Sequence, residues 1–178
     1  LHQREGRARH FGFIAAKGAD KAATSELARS INNGRILFNG KARCNGCHVG
    51  DSFSDSQFHN LGVGAKEGKL PEGMLGRFGA QPTGQKNPEL VGAFKTPHLR
   101  QLLATAPYMH DGRFQTLEQV IDHYSEGLVF SPTIDPLMKT VAQGGVQLTP
   151  QDKAALKAFL LTLSDPSLAS NPAYQNPN

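Results

Sequence analysis

The chain has 178 residues, the size of a single domain, and 19 basic against 15 acidic side chains, for a formal net charge of +4 and a pI near 9.2. No apolar run approaches the roughly 20 residues needed to span a bilayer. Basic residues are not interleaved with aromatics as in nucleic-acid binders, so neither a membrane span nor a nucleic-acid partner is expected. Only 38% of the residues are hydrophobic, none is tryptophan, and 19 glycines and 11 prolines favour loops over continuous helix.

Residues 1–23 form a basic segment in which Arg4, Arg7, Arg9, Lys17 and Lys21 crowd together. A solvated basic surface accounts for them, and steering toward an acidic partner is the sharper reading. A domain is expected over 24–165. It opens with a helix capped by Thr24 or Ser25, with Leu27, Ile31, Leu37 and Phe38 near one face and Gly34 interrupting the pattern.

That helix leads into Cys44-Asn45-Gly46-Cys47-His48, the attachment motif of a c-type haem. Two thiols at this spacing can add across the vinyl groups of one porphyrin, and the adjoining histidine is then held under the iron as proximal ligand. A thioredoxin-like centre wants a helix after the pair, which Val49-Gly50-Asp51-Ser52 does not begin. A zinc site wants a second ligand pair at similar spacing, and there is none. Both cysteines of the chain are used here, leaving no disulfide framework. Haem is attached to thiols outside the cytoplasm, so the periplasm is the expected compartment. The sequence opens at Leu1 with no signal sequence, as expected of a mature form or a piece of a longer protein.

From Asp51 to Gly92, glycines alternate with Pro71, Pro82 and Pro88, which predicts a long loop of the kind that wraps a functional group. Thr96 and Pro97 then predict a short helix with Leu99, Leu102 and Leu103 as its apolar stripe. Thr116 and Gln119 form a capping box, so a helix starts at Leu117. Leu117, Val120, Ile121 and Tyr124 share its buried face, with His123 displaced by roughly 100°. A last helix is capped by Thr149, begins with Pro150, buries Leu156, Phe159, Leu160 and Leu163, and ends at Ser164-Asp165-Pro166. Residues 166–178 are expected as a surface tail. The fold class expected is all-α, cytochrome c-like, with long Gly/Pro-rich loops.

A six-coordinate iron needs a second ligand, for which Met109, Met138, His110, His123 and Tyr124 are the candidates. A methionine in a loop is most often a gap-filler, and a tyrosine on a buried helix face is most often a core residue with a bonded hydroxyl. Pattern alone does not separate Met138 from Tyr124.

Several segments resemble the bacterial di-haem cytochrome c peroxidase family, which includes the MauG-like proteins. They are Phe53-Ser54-Asp55 with Phe58-His59-Asn60-Leu61-Gly62, Leu75-Gly76-Arg77-Phe78, and Ala93-Phe94-Lys95-Thr96-Pro97-His98-Leu99-Arg100. Further on come Ala106-Pro107-Tyr108-Met109-His110-Asp111-Gly112 with Thr116-Leu117-Glu118, and Leu148-Thr149-Pro150-Gln151-Asp152-Lys153. The resemblance covers about Gly34 to Asp165, and its Pro-Tyr-x-His-Asp-Gly segment is the most specific part.

The family is built from two cytochrome c-like domains, each with a haem, and this chain is similar to the C-terminal, electron-transfer one. In typical peroxidases the distal ligand is a methionine fourteen residues after the histidine of that segment; here the position is Tyr124, and the MauG-like branch also has tyrosine there. The resemblance therefore implies one haem c on Cys44 and Cys47, His48 proximal and Tyr124 distal, with a low potential and a ferric resting state. It also implies His110 near the haem or a domain interface, in a hydrogen-bond network, and places His59 at a family position. A calcium ion is implied at the backbone oxygens of Thr105 and Pro107, completed by the other domain.

The chain departs from the family in having one Cys-x-x-Cys-His and no tryptophan, whereas the family places one between its haems. Two functions follow. The chain is the electron-transfer half of a di-haem peroxidase or MauG-like oxidoreductase, partnered by a second haem domain, or it is a stand-alone mono-haem cytochrome serving a redox partner protein. A third reading, an open iron site with weak peroxidase activity, ranks last because the sequence offers no distal acid–base pair.

Overall fold

The computed structural model describes residues 21–138 and 140–174. Most of the predicted basic segment, including Arg4, Arg7, Arg9 and Lys17, lies outside the described residues, as do the last four of the predicted tail. Helix α1 spans Lys21–Asn39. Thr24 and Ser25, expected as its cap, lie inside it, and Leu27, expected on its buried face, is exposed. Gly34, which interrupts the apolar pattern of the sequence, is fully helical and buried.

The reason is packing. Helix α1 lies across the helix at Pro150–Leu161, and a Cβ on Gly34 would sit 2.7 Å from both the Ala155 carbonyl carbon and the Phe159 Cβ. Only a residue without a side chain lets the two backbones meet there. Beside this crossing Phe38 meets Phe159 and Phe53 edge-on, with ring centroids 5.3 and 5.8 Å apart. These rings join Leu102, Leu117, Ile121, Leu148, Leu156 and Leu160 in one core.

The stretch from Asp51 to Gly92 is mostly loop, with a short strand β1 (Phe58–His59) and a single helical turn α2 (Arg77–Ala80). Strand β2 (Phe94–Lys95) pairs antiparallel with β1, placing His59 opposite Phe94. The helix expected at Thr96 does not form. The Thr96 N–H donates to the Gln57 carbonyl at 2.9 Å, extending the strand pairing, and only a 3₁₀ turn at Leu102–Ala104 follows. Leu102 is buried there and Leu103 is exposed.

Helix α3 (Leu117–Glu126) starts where its capping box places it, and α4 (Pro150–Leu161) has a second complete box between Thr149 and Asp152. Leu117 and Ile121 are buried, while Val120 and Tyr124 are half-buried. Helix α4 stops at Leu161, three residues before the expected Ser164. Residues 166–174 make two exposed 3₁₀ turns. No helix among the described residues is long and apolar enough to cross a membrane.

Candidate haem site

The Cys-x-x-Cys-His motif leaves α1 through Arg43, whose φ of 57° turns the chain sharply, and closes into one 3₁₀ turn at Cys44–Gly46. The His48 N–H donates to the Cys44 carbonyl at 2.9 Å, and the Asp55 N–H to the Cys47 carbonyl at 2.9 Å. Residues 47–55 thus fold back over the motif. A thioredoxin-like pair would sit at the start of a longer helix with a lowered thiol pKa. Here burial pushes Cys44 up to about 12, and burial with the Asp55 and Asp135 charges pushes Cys47 up to about 11.

His48 is oriented from behind. Its Nδ1 lies 2.8 Å from the Phe53 carbonyl oxygen, an acceptor only, so Nδ1 carries the proton and Nε2 is the basic nitrogen. Burial lowers the His48 pKa against the opposing effect of this bond, which keeps the imidazole neutral, as metal ligation requires. Phe53 is itself fixed. Its φ is 54°, its ring is in the aromatic cluster, and the Arg100 guanidinium lies 5.9 Å over it while donating to the Asp51 carbonyl.

Tyr124 approaches the motif from α3. Burial, then the nearby Cys44 and Cys47, push its phenol above the ordinary tyrosine range. Its carbonyl accepts from the Val146 N–H at 3.0 Å, and Gly145 passes so close to Tyr124 and Ser125 that no Cβ fits. His123 sits one step round α3 from Tyr124. It is buried against Phe114 and Tyr124, with ring centroids 5.5 and 5.4 Å away, and its Nε2 has no partner.

The other candidates lie in loops. His110 is exposed and stacked on Phe94, with ring centroids 3.7 Å apart. Thr105 and Pro107 are exposed on either side of Ala106. Met109 has a φ of 69° in the same loop. Met138 is half-buried, its N–H donating to the Asp135 carbonyl at 2.9 Å, and the preceding Leu137 faces Gly46. Sequence reading missed Asp55 and Asp135, which hold the two ring nitrogens of His59. It also missed the Phe53 carbonyl, which carries no sequence signal.

No protein-family model matches the chain. Individual relatives do. The cytochrome-c peroxidase IdrP2 of Pseudomonas sp. (strain SCT) is 36% identical over 88% of this chain and 45% of its own length. The methylamine utilization protein MauG of Methylorubrum extorquens is 36% identical over 78% of this chain and 36% of its own. The crystal structure of a MauG-like protein associated with microbial copper homeostasis superposes with a TM-score of 0.70, at 35% identity over 83% of this chain and 50% of that one.

Over most of its length, the chain belongs to the cytochrome-c peroxidase and MauG family.

It spans less than half the length of the curated relatives it matches. Membership in the peroxidase and MauG family implies haem c as cofactor. The residues fit that group. Two cysteines and a neutral imidazole with Nδ1 engaged follow the end of α1, and the Tyr124 phenol is within electrostatic reach of both sulfurs.

Proposed function

We propose that this chain is an all-α, cytochrome c-like electron-transfer domain with long loops, extending over residues 24–165 between the basic segment and the surface tail. It carries a single haem c on Cys44 and Cys47, with His48 as proximal and Tyr124 as distal ligand. We further propose that it works as the C-terminal half of a di-haem peroxidase or MauG-like oxidoreductase in the periplasm. Its redox partner is a second haem domain or a protein of that compartment. The observation that carries this reading is the bond from His48 Nδ1 to the Phe53 carbonyl beside two thiols, the arrangement a proximal ligand needs.

When bound, the haem supplies a one-electron Fe(III)/Fe(II) couple. The chain's residues set its terms. Cys44 and Cys47 tether it to the backbone, and the Phe53 carbonyl raises the basicity of His48. Desolvation raises the Tyr124 phenol, so a cationic centre beside it stabilises the phenolate, which favours the ferric state. His110, stacked on Phe94 at the surface, lies at an interface with a second domain. Thr105 and Pro107 offer two backbone oxygens toward a calcium ion that takes six to eight, so a partner must complete the shell.

Production of the chain with haem-attachment machinery, followed by intact mass after denaturation, tests the core of the reading. One covalent haem is expected, lost in Cys44→Ala/Cys47→Ala. An intact mass of the native protein from its source tests the wider claim: two haems in a chain about twice as long support it, and a mono-haem protein of this length contradicts it.

A further inference from the structure

The proximal arrangement leaves one cluster unexplained. The Cys47 Sγ, a carboxylate oxygen of Asp55 and a ring nitrogen of His59 all lie within 4.8 Å of one another. A sulfur committed to a thioether has no thiolate to offer, so this trio is not a metal site. The His59 ring is instead held at both ends, Nδ1 2.6 Å from Asp135 Oδ2 and Nε2 2.9 Å from Asp55 Oδ2. Carboxylates only accept, so both nitrogens carry protons and the ring is an imidazolium. The side chains of His59, Asp55 and Asp135 are 13%, 19% and 16% exposed, so solvent screens their charges only in part.

The two acids come from segments far apart in the chain. Asp55 belongs to the loop that folds over the motif, its N–H bonded to the Cys47 carbonyl. Asp135 belongs to the segment that brings Leu137 toward Gly46. Asn60 repeats the link one residue on, donating to the Ser131 and Thr133 hydroxyls at 2.9 Å each, while its carbonyl accepts from the Asp135 N–H at 2.9 Å.

We propose that Asp55, His59 and Asp135 form an electrostatic clasp that sets the reduction potential of the haem and holds segment 131–138 against the attachment turn, with His59 as a positioning residue. This rests on the covalent-haem reading. Ferric haem carries one more positive charge than ferrous haem. Loss of the imidazolium therefore exposes two carboxylates to the iron and stabilises Fe(III), whereas loss of one carboxylate stabilises Fe(II).

The test is redox titration at pH 6 of the holoprotein, His59→Gln and Asp135→Asn, after mass measurement has confirmed one covalent haem in each. The potential is expected to fall in His59→Gln and rise in Asp135→Asn. Shifts of the same sign, or none, overturn the clasp, because a role confined to packing does not reverse sign within one cluster. If His59→Gln does not mature, Asp135→Asn and Asp55→Asn decide alone: both rising supports the clasp, and either unmoved or falling overturns it. An unsubstituted protein lacking covalent haem fails at the mass step, which removes the haem reading and the clasp together.

Discussion

His48 Nδ1 and the Phe53 carbonyl oxygen lie 2.8 Å apart, and the surrounding residues keep them there. The Phe53 ring packs against Phe38 and Phe159, so the core that joins α1 to α4 also fixes the carbonyl that aims the His48 imidazole. Fold stability and the aim of His48 are coupled through one residue. Arg100 adds a second hold, bonding the Asp51 carbonyl two residues before Phe53.

Arg100→Met keeps much of the side chain's bulk and removes its donors. It is expected to cost about 1 kcal/mol, the net worth of a typical intramolecular hydrogen bond. It also weakens the His48–Phe53 bond, which lowers the iron–histidine stretching frequency read by resonance Raman in the ferrous protein of a Tyr124→Phe background, where the iron is five-coordinate. An unchanged frequency would separate Arg100 from the proximal ligand.

Gly34→Val drives a branched side chain into the Ala155 backbone and the Phe159 Cβ. The helices must part, at a cost of about 3 kcal/mol, the upper end for overpacking. Urea denaturation of the holoprotein reads this as a lowered midpoint; a midpoint within error of the unsubstituted protein contradicts the close crossing.

Thr116→Ala removes the N-cap of α3, the helix that carries Tyr124. The loss is about 1 kcal/mol. Because the cap lies two turns from the site, thermal stability falls while the visible spectrum holds. A changed haem spectrum at full stability would be the opposite of this expectation.

The clasp also predicts how stability follows pH. Burial alone would lower the His59 pKa, but Asp135 and Asp55 outweigh it and the shift is upward. The His59 contribution is therefore complete below its unfolded value of about 6.5 and is lost as pH rises through the folded one. Burial opposes ionisation of Asp55, but its Gln57, Thr96 and His59 partners outweigh this and lower its pKa. Its share is present above its unfolded value of about 3.9 and is lost as pH falls through the folded one. The difference in urea midpoint between unsubstituted protein and His59→Gln is thus largest between about pH 4.5 and 6.5 and narrows toward pH 9. A gap that widens with alkalinity contradicts it.

What the sequence showed best was local. Thr116 with Gln119, and Thr149 with Asp152, name helix starts within four residues, and the attachment motif is contiguous. Thr96-Pro97 carries the same kind of local signal, yet the Thr96 N–H is taken by Gln57, a partner 39 residues upstream that no local pattern reveals. Gly34 misled for a related reason: its low helix propensity is visible in the sequence, and the backbone of Ala155 that requires it is not. His59 and Asp135 are 76 residues apart, so the clasp existed only once the chain was folded. His123 falls outside the apolar stripe and is buried nonetheless, because Phe114 and Tyr124 close over it.

Tyr124 as the second ligand of the iron is open to a direct spectroscopic test. Resonance Raman spectroscopy of the ferric holoprotein, beside Tyr124→Phe and Met138→Ala, tests it most directly. Phenolate vibrations are expected in the unsubstituted protein, lost in Tyr124→Phe and retained in Met138→Ala, with a raised potential in the former. A spectrum without phenolate bands, unmoved by Tyr124→Phe and altered by Met138→Ala, would place sulfur on the iron and contradict it.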